Sequence, residues 1–220
     1  MIGSEVEARS WVADQPQVDS TAMERLEQLV TLLIEENQRQ NLVSAASLGA
    51  VWQRHIADSA QLLALVPRET PVDSWLDLGT GAGFPGIVIA CLLPETEIVL
   101  VESRARRVEW LQSAAGSLGL ANVVVVGQRL ELVPTQKFSV ISARAFAPLG
   151  KLLTLSARFS TSDTIWLLPK GRSAPQELQE LSDWQHLFHV EQSLTDPDGG
   201  IIVGTLPETV SGAKRRDTKR

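Results

Sequence analysis

Cysteine is nearly absent: Cys91 stands alone among 220 residues, so no disulfide framework can brace the fold. It lies in the apolar run Ile87-Val88-Ile89-Ala90-Cys91-Leu92-Leu93, the setting of a buried core thiol rather than a nucleophile. No apolar stretch reaches the length of a membrane span, and Met1–Arg9 has neither a basic segment nor an apolar one behind it. A soluble protein of the reducing cytoplasm is expected, with no membrane partner. Repeats and low-complexity tracts are missing as well. The three histidines, His55, His186 and His189, are scattered, and no metal is expected.

Positive charge is also scarce: the net charge is −6, which alone argues against a nucleic-acid partner. The deficit is local. Residues 1–36 carry eight acids against Arg9 and Arg25, which accounts for all of it. The last seven residues, Lys214-Arg215-Arg216-Asp217-Thr218-Lys219-Arg220, form a basic tail, readable as a solvated terminus or as a contact to RNA phosphates. With 44% hydrophobic residues the chain can bury a sizeable core, and one α/β domain with an extension is expected.

The most informative stretch present is Ser74-Trp75-Leu76-Asp77-Leu78-Gly79-Thr80-Gly81-Ala82-Gly83-Phe84-Pro85-Gly86, an apolar strand that ends in a carboxylate and runs into a glycine-dense turn opening a helix. Glycines let a ligand approach the backbone, and the N–H groups of the turn and helix start are donors without partners. A turn that only packed helix on strand would not need Gly79, Gly81, Gly83 and Gly86 together. Two cofactors match the letters. Gly81-x-Gly83-x-x-Gly86 fits the dinucleotide fingerprint, with Glu102 downstream on the ribose. Asp77-x-Gly79-x-Gly81-x-Gly83 fits the S-adenosylmethionine (AdoMet) turn, with the same Glu102 holding the ribose hydroxyls. In the first case Asp77 would face a pyrophosphate, a repulsion on the order of kcal/mol. AdoMet carries an ammonium and a sulfonium, which Asp77 and Glu102 suit. AdoMet is therefore favoured, with NAD(P) as the alternative.

Met23, Leu26, Val30, Leu33 and Ile34 recur at helical spacing after a Thr21-x-x-Glu24 capping box, predicting an amphipathic helix over ~21–39. A second helix is expected from Leu48 to Leu65. From Pro71 onward, Val72–Leu78, Glu97–Glu102, Asn122–Gly127, Phe138–Arg144 and Thr164–Pro169 are strand-like runs separated by helical segments, the pattern of a parallel sheet covered on both faces. Gln185–Leu194, the turn Asp196-Pro197-Asp198-Gly199-Gly200 and Ile201–Leu206 read as an antiparallel hairpin. The expected fold is α/β and Rossmann-like: a doubly wound, mostly parallel sheet with a C-terminal antiparallel hairpin and an N-terminal helical cap. The parts are a helical extension over 1–70, an AdoMet-binding methyltransferase domain over 71–207 and the tail over 208–220.

Ligands on such sheets lie beyond the carboxyl ends of the strands. The first strand is followed by the glycine turn, where Phe84 and Pro85 open a helix. The second is followed by Glu102 and Ser103, the latter an expected N-cap, then by Arg104, Arg106 and Arg107, readable as RNA-phosphate contacts or as a solvated helix face. After the third, Gln128-Arg129-Leu130-Glu131 is where an adenine would meet backbone amides. After the fourth, Ser142-Ala143-Arg144-Ala145-Phe146 falls nearest the transferable methyl, and after the fifth Pro169-Lys170-Gly171 presents a second cation. Enzymes that methylate exocyclic amines of bases tend to carry Asp/Asn-Pro-Pro-aromatic after the fourth strand; here Arg144-Ala145-Phe146 stands instead. No second cysteine is available for a covalent pyrimidine mechanism. Such a site positions an acceptor that is already nucleophilic. Guanine N7 is one: its lone pair is free and no proton must leave.

Taken in order, Asn41-Leu42-Val43, Arg54-His55-Ile56-Ala57-Asp58-Ser59, the segment Asp77–Gly86, Glu102-Ser103-x-x-Arg106-Arg107-Val108, Ser142-Ala143-Arg144-Ala145-Phe146-Ala147 and Lys170-Gly171 resemble the glucose-inhibited division protein B family over about residues 20 to 206. Its members are bacterial 16S ribosomal RNA guanine-N7 methyltransferases. The resemblance implies AdoMet contacts at Gly79, Phe84, Leu130, Glu131 and Arg144, with Glu102 on the ribose. It implies that Arg106, Arg107, Arg144 and Lys170 form the positive side of an RNA site, with Arg144 and Lys170 at the chemistry and 16S ribosomal RNA or the small subunit as partner. Two departures stand out. Glu102 replaces the more usual Asp, and Leu206-Pro207-Glu208-Thr209-Val210 is acidic where members are commonly basic.

His55 and Asp58, three residues apart on a helix, read more readily as a polar clasp fixing the cap over the cofactor mouth than as a catalytic pair, since N7 attack needs no base. Trp75, Trp110 and Trp166 belong to apolar patterns and are expected in the core, while Trp11, Trp52 and Trp184 could be core or stacking residues. The rival functions are an AdoMet enzyme with a small-molecule or protein acceptor, a nicotinamide oxidoreductase, and a non-catalytic nucleotide-binding module.

Overall fold

The computed structural model describes residues 1–144, 146–181 and 185–207. The basic tail, the acidic segment from Glu208 and Trp184 lie outside the described residues. Seven strands, β1 (Ser74–Leu78), β2 (Glu97–Val101), β3 (Val123–Val126), β4 (Val140–Ser142), β5 (Ile165–Gly171), β6 (Phe188–Gln192) and β7 (Gly200–Gly204), form one sheet in the order β3-β2-β1-β4-β5-β7-β6. The first five pair in parallel, and β6 and β7 run antiparallel on the β5 edge, as expected for the hairpin. Strand order reverses at the β1/β4 boundary, and ligands of doubly wound sheets lie at that switch point.

Side chains alternate across β1: Trp75 faces one core, while Leu76 and Leu78 face the other. The first core is closed by α5 (Gly86–Leu92), α6 (Ala105–Ser117) and the N-terminal helices α1 (Glu5–Ala13) and α2 (Ser20–Asn37), the second by α7 (Leu149–Ser156) and α8 (Ala174–Gln179). Residues 1–70 thus have no core of their own. Leu26, Leu29 and Leu33 of α2 share one with Trp75 and Ile87 of the sheet layer. Cys91 is buried there, its thiol pushed up to about 12 by desolvation, and Trp75, Trp110 and Trp166 are core residues as expected.

Several local expectations change. Helix α1, which the sequence reading passed over, is amphipathic enough to bury Ala8 and Val12. Helix α2 begins at Ser20, capped by Asp19, whose carboxylate accepts from Ala22 N, rather than by the Thr21 box. The expected single helix from Leu48 to Leu65 is broken into α3 (Ala45–Leu48), a π-helical turn over Trp52–Ala57, α4 (Asp58–Ala60) and a 3₁₀ stretch over Gln61–Leu65. A π-turn widens the backbone and re-aims its side chains. This one carries Arg54 and His55.

Candidate active site

Beneath the switch point runs a buried chain of hydrogen bonds. Trp75 Nε1 donates to Ser142 Oγ (2.8 Å), Ser142 Oγ donates to Asp77 Oδ1 (2.7 Å), and Gly86 N donates to Asp77 Oδ2 (3.1 Å). Asp77, expected to face the cofactor's charge, is wholly buried and engages both oxygens with the protein. Desolvation raises its pKa, opposed by the bonds from Ser142 and Gly86 and by the Arg144 cation. It works from beneath, tying β4 and the start of α5 to β1. Pro85 correspondingly precedes the helix, which starts at Gly86.

Above this floor, Gly79, Gly81 and Gly83 all take positive φ (63°, 59° and 101°). A Cβ at Gly83 would lie 2.5 Å from Ile87 Cδ1, so that glycine is demanded by packing, whereas one at Gly81 would meet nothing nearer than Gly79 O at 3.8 Å. The open space over Gly81 is a backbone cradle. Beside it, Glu102 Oε1 accepts from Ser103 N (2.8 Å) and Arg104 N (2.9 Å), and the N-cap position of α6 is Arg104, without a side-chain cap bond, rather than Ser103. Glu102 Oε2 is buried and has no partner among the described residues. A buried acceptor without a donor is costly unless a ligand supplies one. A glycine cradle with a free carboxylate oxygen beside it fits the ribose hydroxyls of AdoMet. Leu130 is buried on a 3₁₀ turn behind β3, its carbonyl accepting from Arg158, and Glu131 is exposed next to it.

The residues expected to carry positive charge divide. Arg144 stands with its guanidinium 5.3 Å from the Phe84 ring centroid and is held by three groups of the cap: Arg54 O, His55 Nδ1 (each 3.3 Å) and Asp58 Oδ2 (3.4 Å). Burial lowers its pKa, while Asp58 and Asp77 counteract. His55 stacks on Phe84 at 4.8 Å, and its pKa falls to about 3 through burial and then the Arg144 and Arg54 cations. Because a guanidinium only donates, Nδ1 accepts and the ring proton is on Nε2, which is buried without a partner. Asp58 Oδ1 in turn accepts from Gln61 Nε2 (2.9 Å) and from Thr195 Oγ1 (2.7 Å) beyond β6. His55 and Asp58 do form a clasp, with Arg144 between them.

Lys170 lies within β5, which runs to Gly171, and its side chain is 5% exposed: Nζ donates to Ala147 O (2.6 Å) and pairs with Glu177 Oε2 (2.9 Å). Burial opposes ionisation of Glu177, but hydrogen bonds from Lys170, Ser173 and Leu149 outweigh it and hold its pKa below the usual carboxylate value. Arg107 donates to Leu42 O (3.0 Å) and to Asn41 O, fastening α6 to the cap, whereas Arg106 is exposed and reaches only Arg39 O at 3.4 Å. Lys170 and Arg107 are thus taken up internally, and Arg106 faces outward. A cavity of about 800 Å³ opens beyond β4 and β5, lined among others by Arg54, His55, Asp58, Arg144, Phe146 and Lys170. Nothing in the sequence spacing brings Glu177 to Lys170 or the Phe146 ring to Gly79. Among the described residues, no three potential metal ligands cluster, and no helix is long and apolar enough to cross a membrane.

The sheet order, the glycine cradle at its switch point and the carboxylate ending β2 define the class of Rossmann-like AdoMet-dependent methyltransferases. The fold is shared with a SAM-dependent methyltransferase from Aquifex aeolicus, at a TM-score of 0.56 and 14% identity, covering 77% of this chain and 98% of that one. Within that class, the family model described as rRNA small subunit methyltransferase G matches residues 22–196. Proteins named ribosomal RNA small subunit methyltransferase G from Erythrobacter litoralis and Novosphingobium aromaticivorans are 60% and 56% identical over 205 and 204 residues, covering 93% and 92% of this chain and 97% and 89% of theirs. The chain belongs to the rRNA small subunit methyltransferase G family.

Proposed function

We propose that this protein transfers the methyl group of AdoMet to N7 of one guanine in 16S ribosomal RNA, in the cytoplasm. The family supplies the small-subunit RNA. The observation that carries the reading on this chain is the position of Arg144, whose cation lies over Phe84 of the glycine turn and also lines the acceptor cavity. AdoMet supplies an electrophilic methyl when bound. Gly81, between Gly79 and Gly83, offers it open backbone, Glu102 Oε2 would accept from the ribose, Leu130 and Glu131 would flank the adenine, and Phe84 and Arg144 would stand at the reacting end. Asp77 keeps the turn in shape from below.

Attack by N7 needs alignment and no base. His55 is unsuited to proton removal in any case, because Nδ1 is occupied by Arg144 and the ring resists protonation. The Arg144 fork presents a donor to O6 on the acceptor edge of guanine and leaves the N7 lone pair free to attack. Lys170 supports the site by holding Ala147 O, and Arg106 meets RNA phosphates at the rim. Mapping N7-methylguanine in 16S ribosomal RNA from cells with and without the gene tests the proposal. One N7-methylguanine lost with the gene supports it, and an unchanged RNA accompanied by a missing methyl on a protein or small molecule refutes it.

A further inference from the structure

Phe146 lies on the wall between the cofactor turn and the acceptor cavity. A Cβ added to Gly79 would lie 2.3 Å from its Cδ2, so one part of the ring covers the Gly79 backbone, and the half-buried remainder lines the cavity. The loop that carries it is fastened on both sides. Arg144 is clasped by the cap, and beyond Phe146 the Ala147 carbonyl accepts from buried Lys170 at 2.6 Å while Leu149 N donates to Glu177 at 3.0 Å. The other ring lining the cavity, His55, is already stacked on Phe84. A flat apolar face held this firmly beside a cation is suited to a planar, electron-rich ring.

We propose that Phe146 is the stacking platform for the base that receives the methyl, with the Lys170–Glu177 pair as the brace that fixes its height above Gly79. The inference rests on the reading that the acceptor is a purine of ribosomal RNA. Stacking on an aromatic side chain strengthens binding about tenfold to a hundredfold per base and accepts any base, so Phe146 would hold the plane while Arg144 reads the edge. Small displacements matter in a reaction governed by alignment.

The test compares Phe146→Leu, which refills the hollow over Gly79 without a flat face, with Phe146→Trp, which restores one. The readouts are kcat/KM for 16S ribosomal RNA, the Kd for AdoMet by calorimetry, and the thermal midpoint. The expected result is a loss of about tenfold or more in kcat/KM for Phe146→Leu, recovery of most of it in Phe146→Trp, AdoMet affinity within about twofold of wild type in both, and unchanged melting. Wild-type kcat/KM in Phe146→Leu, or a loss lying wholly in AdoMet affinity, would overturn it and leave Phe146 a plug for the cofactor turn. Failure of the wild-type protein to methylate the RNA at all would instead remove the functional reading, and this inference with it.

Discussion

The two sides of the switch point are built on different principles. On the β1/β2 side the groups that would meet a ligand are the open backbone at Gly81, in a turn of three glycines at positive φ, and one carboxylate, Glu102, whose first oxygen accepts from Ser103 N and Arg104 N and whose second has no partner among the described residues. On the β4/β5 side they are long side chains, and most of their charge is already paired, Arg144 with the cap and Lys170 with Glu177. The difference teaches that one side is a preformed mould and the other a set of clasps. A mould recognises a ligand that is always the same. Clasps hold a few groups in place around a cavity that a large substrate would enter.

The comparison is broken most directly at Arg144. Arg144→Lys keeps the charge but cannot reproduce a fork held at three points, so kcat should fall about 100-fold, the scale for removing one preorganised donor. Steady-state turnover against RNA concentration checks this, and wild-type kcat would move Arg144 out of the reacting region. On the mould side, Glu102→Ala should weaken AdoMet by about 1–3 kcal/mol, read by calorimetry. A variant that binds AdoMet normally and loses only RNA would contradict the ribose assignment.

The clasp also gives a pH signature. His55 stays neutral in the folded protein down to about 3, whereas the unfolded chain protonates it below 6.5. Stability should therefore fall as pH drops from 6.5 towards 3, by up to about 1.4 kcal/mol per unit from this group. Denaturant unfolding at pH 7 and pH 5 should show a shallower loss for His55→Asn than for the wild type, and identical slopes would contradict the buried neutral ring. The smallest effect is expected at the rim. Arg106→Ala should reduce the slope of log RNA affinity against log salt by about 0.7 to 0.9, while Arg107→Ala, internally bonded, leaves the slope unchanged and lowers the melting point instead.

The same division explains what was legible in the sequence. The sheet, its hairpin and the glycine turn follow from patterns contained within a few residues: apolar runs such as Val72–Leu78 and Val123-Val124-Val125-Val126, and glycines at fixed spacing. Glu102 is legible as a candidate because it directly follows the apolar run of β2. The cap half of one clasp, His55 and Asp58, is legible from its spacing, but the partners are not: Arg144 and Thr195 lie far along the chain from Asp58, as Asn41 does from Arg107, while Lys170 and Glu177 meet because the chain turns from β5 into α8. The bonds of Asp77 to Ser142 and Gly86 are not legible either, since the letters do not say which side of the turn its carboxylate occupies. The π-turn at Trp52–Ala57 escaped because its residues suit an α-helix equally well.

The measurement that bears most directly on this division is single-turnover methyl transfer to 16S ribosomal RNA with both RNA and AdoMet saturating, run for Glu102→Gln and Arg144→Lys beside the wild type. If one side only holds the cofactor and the other aligns the acceptor, Glu102→Gln returns to within a fewfold of the wild-type rate once AdoMet saturates, and Arg144→Lys stays about 100-fold slow. A wild-type rate in Arg144→Lys together with a slow Glu102→Gln would contradict the account.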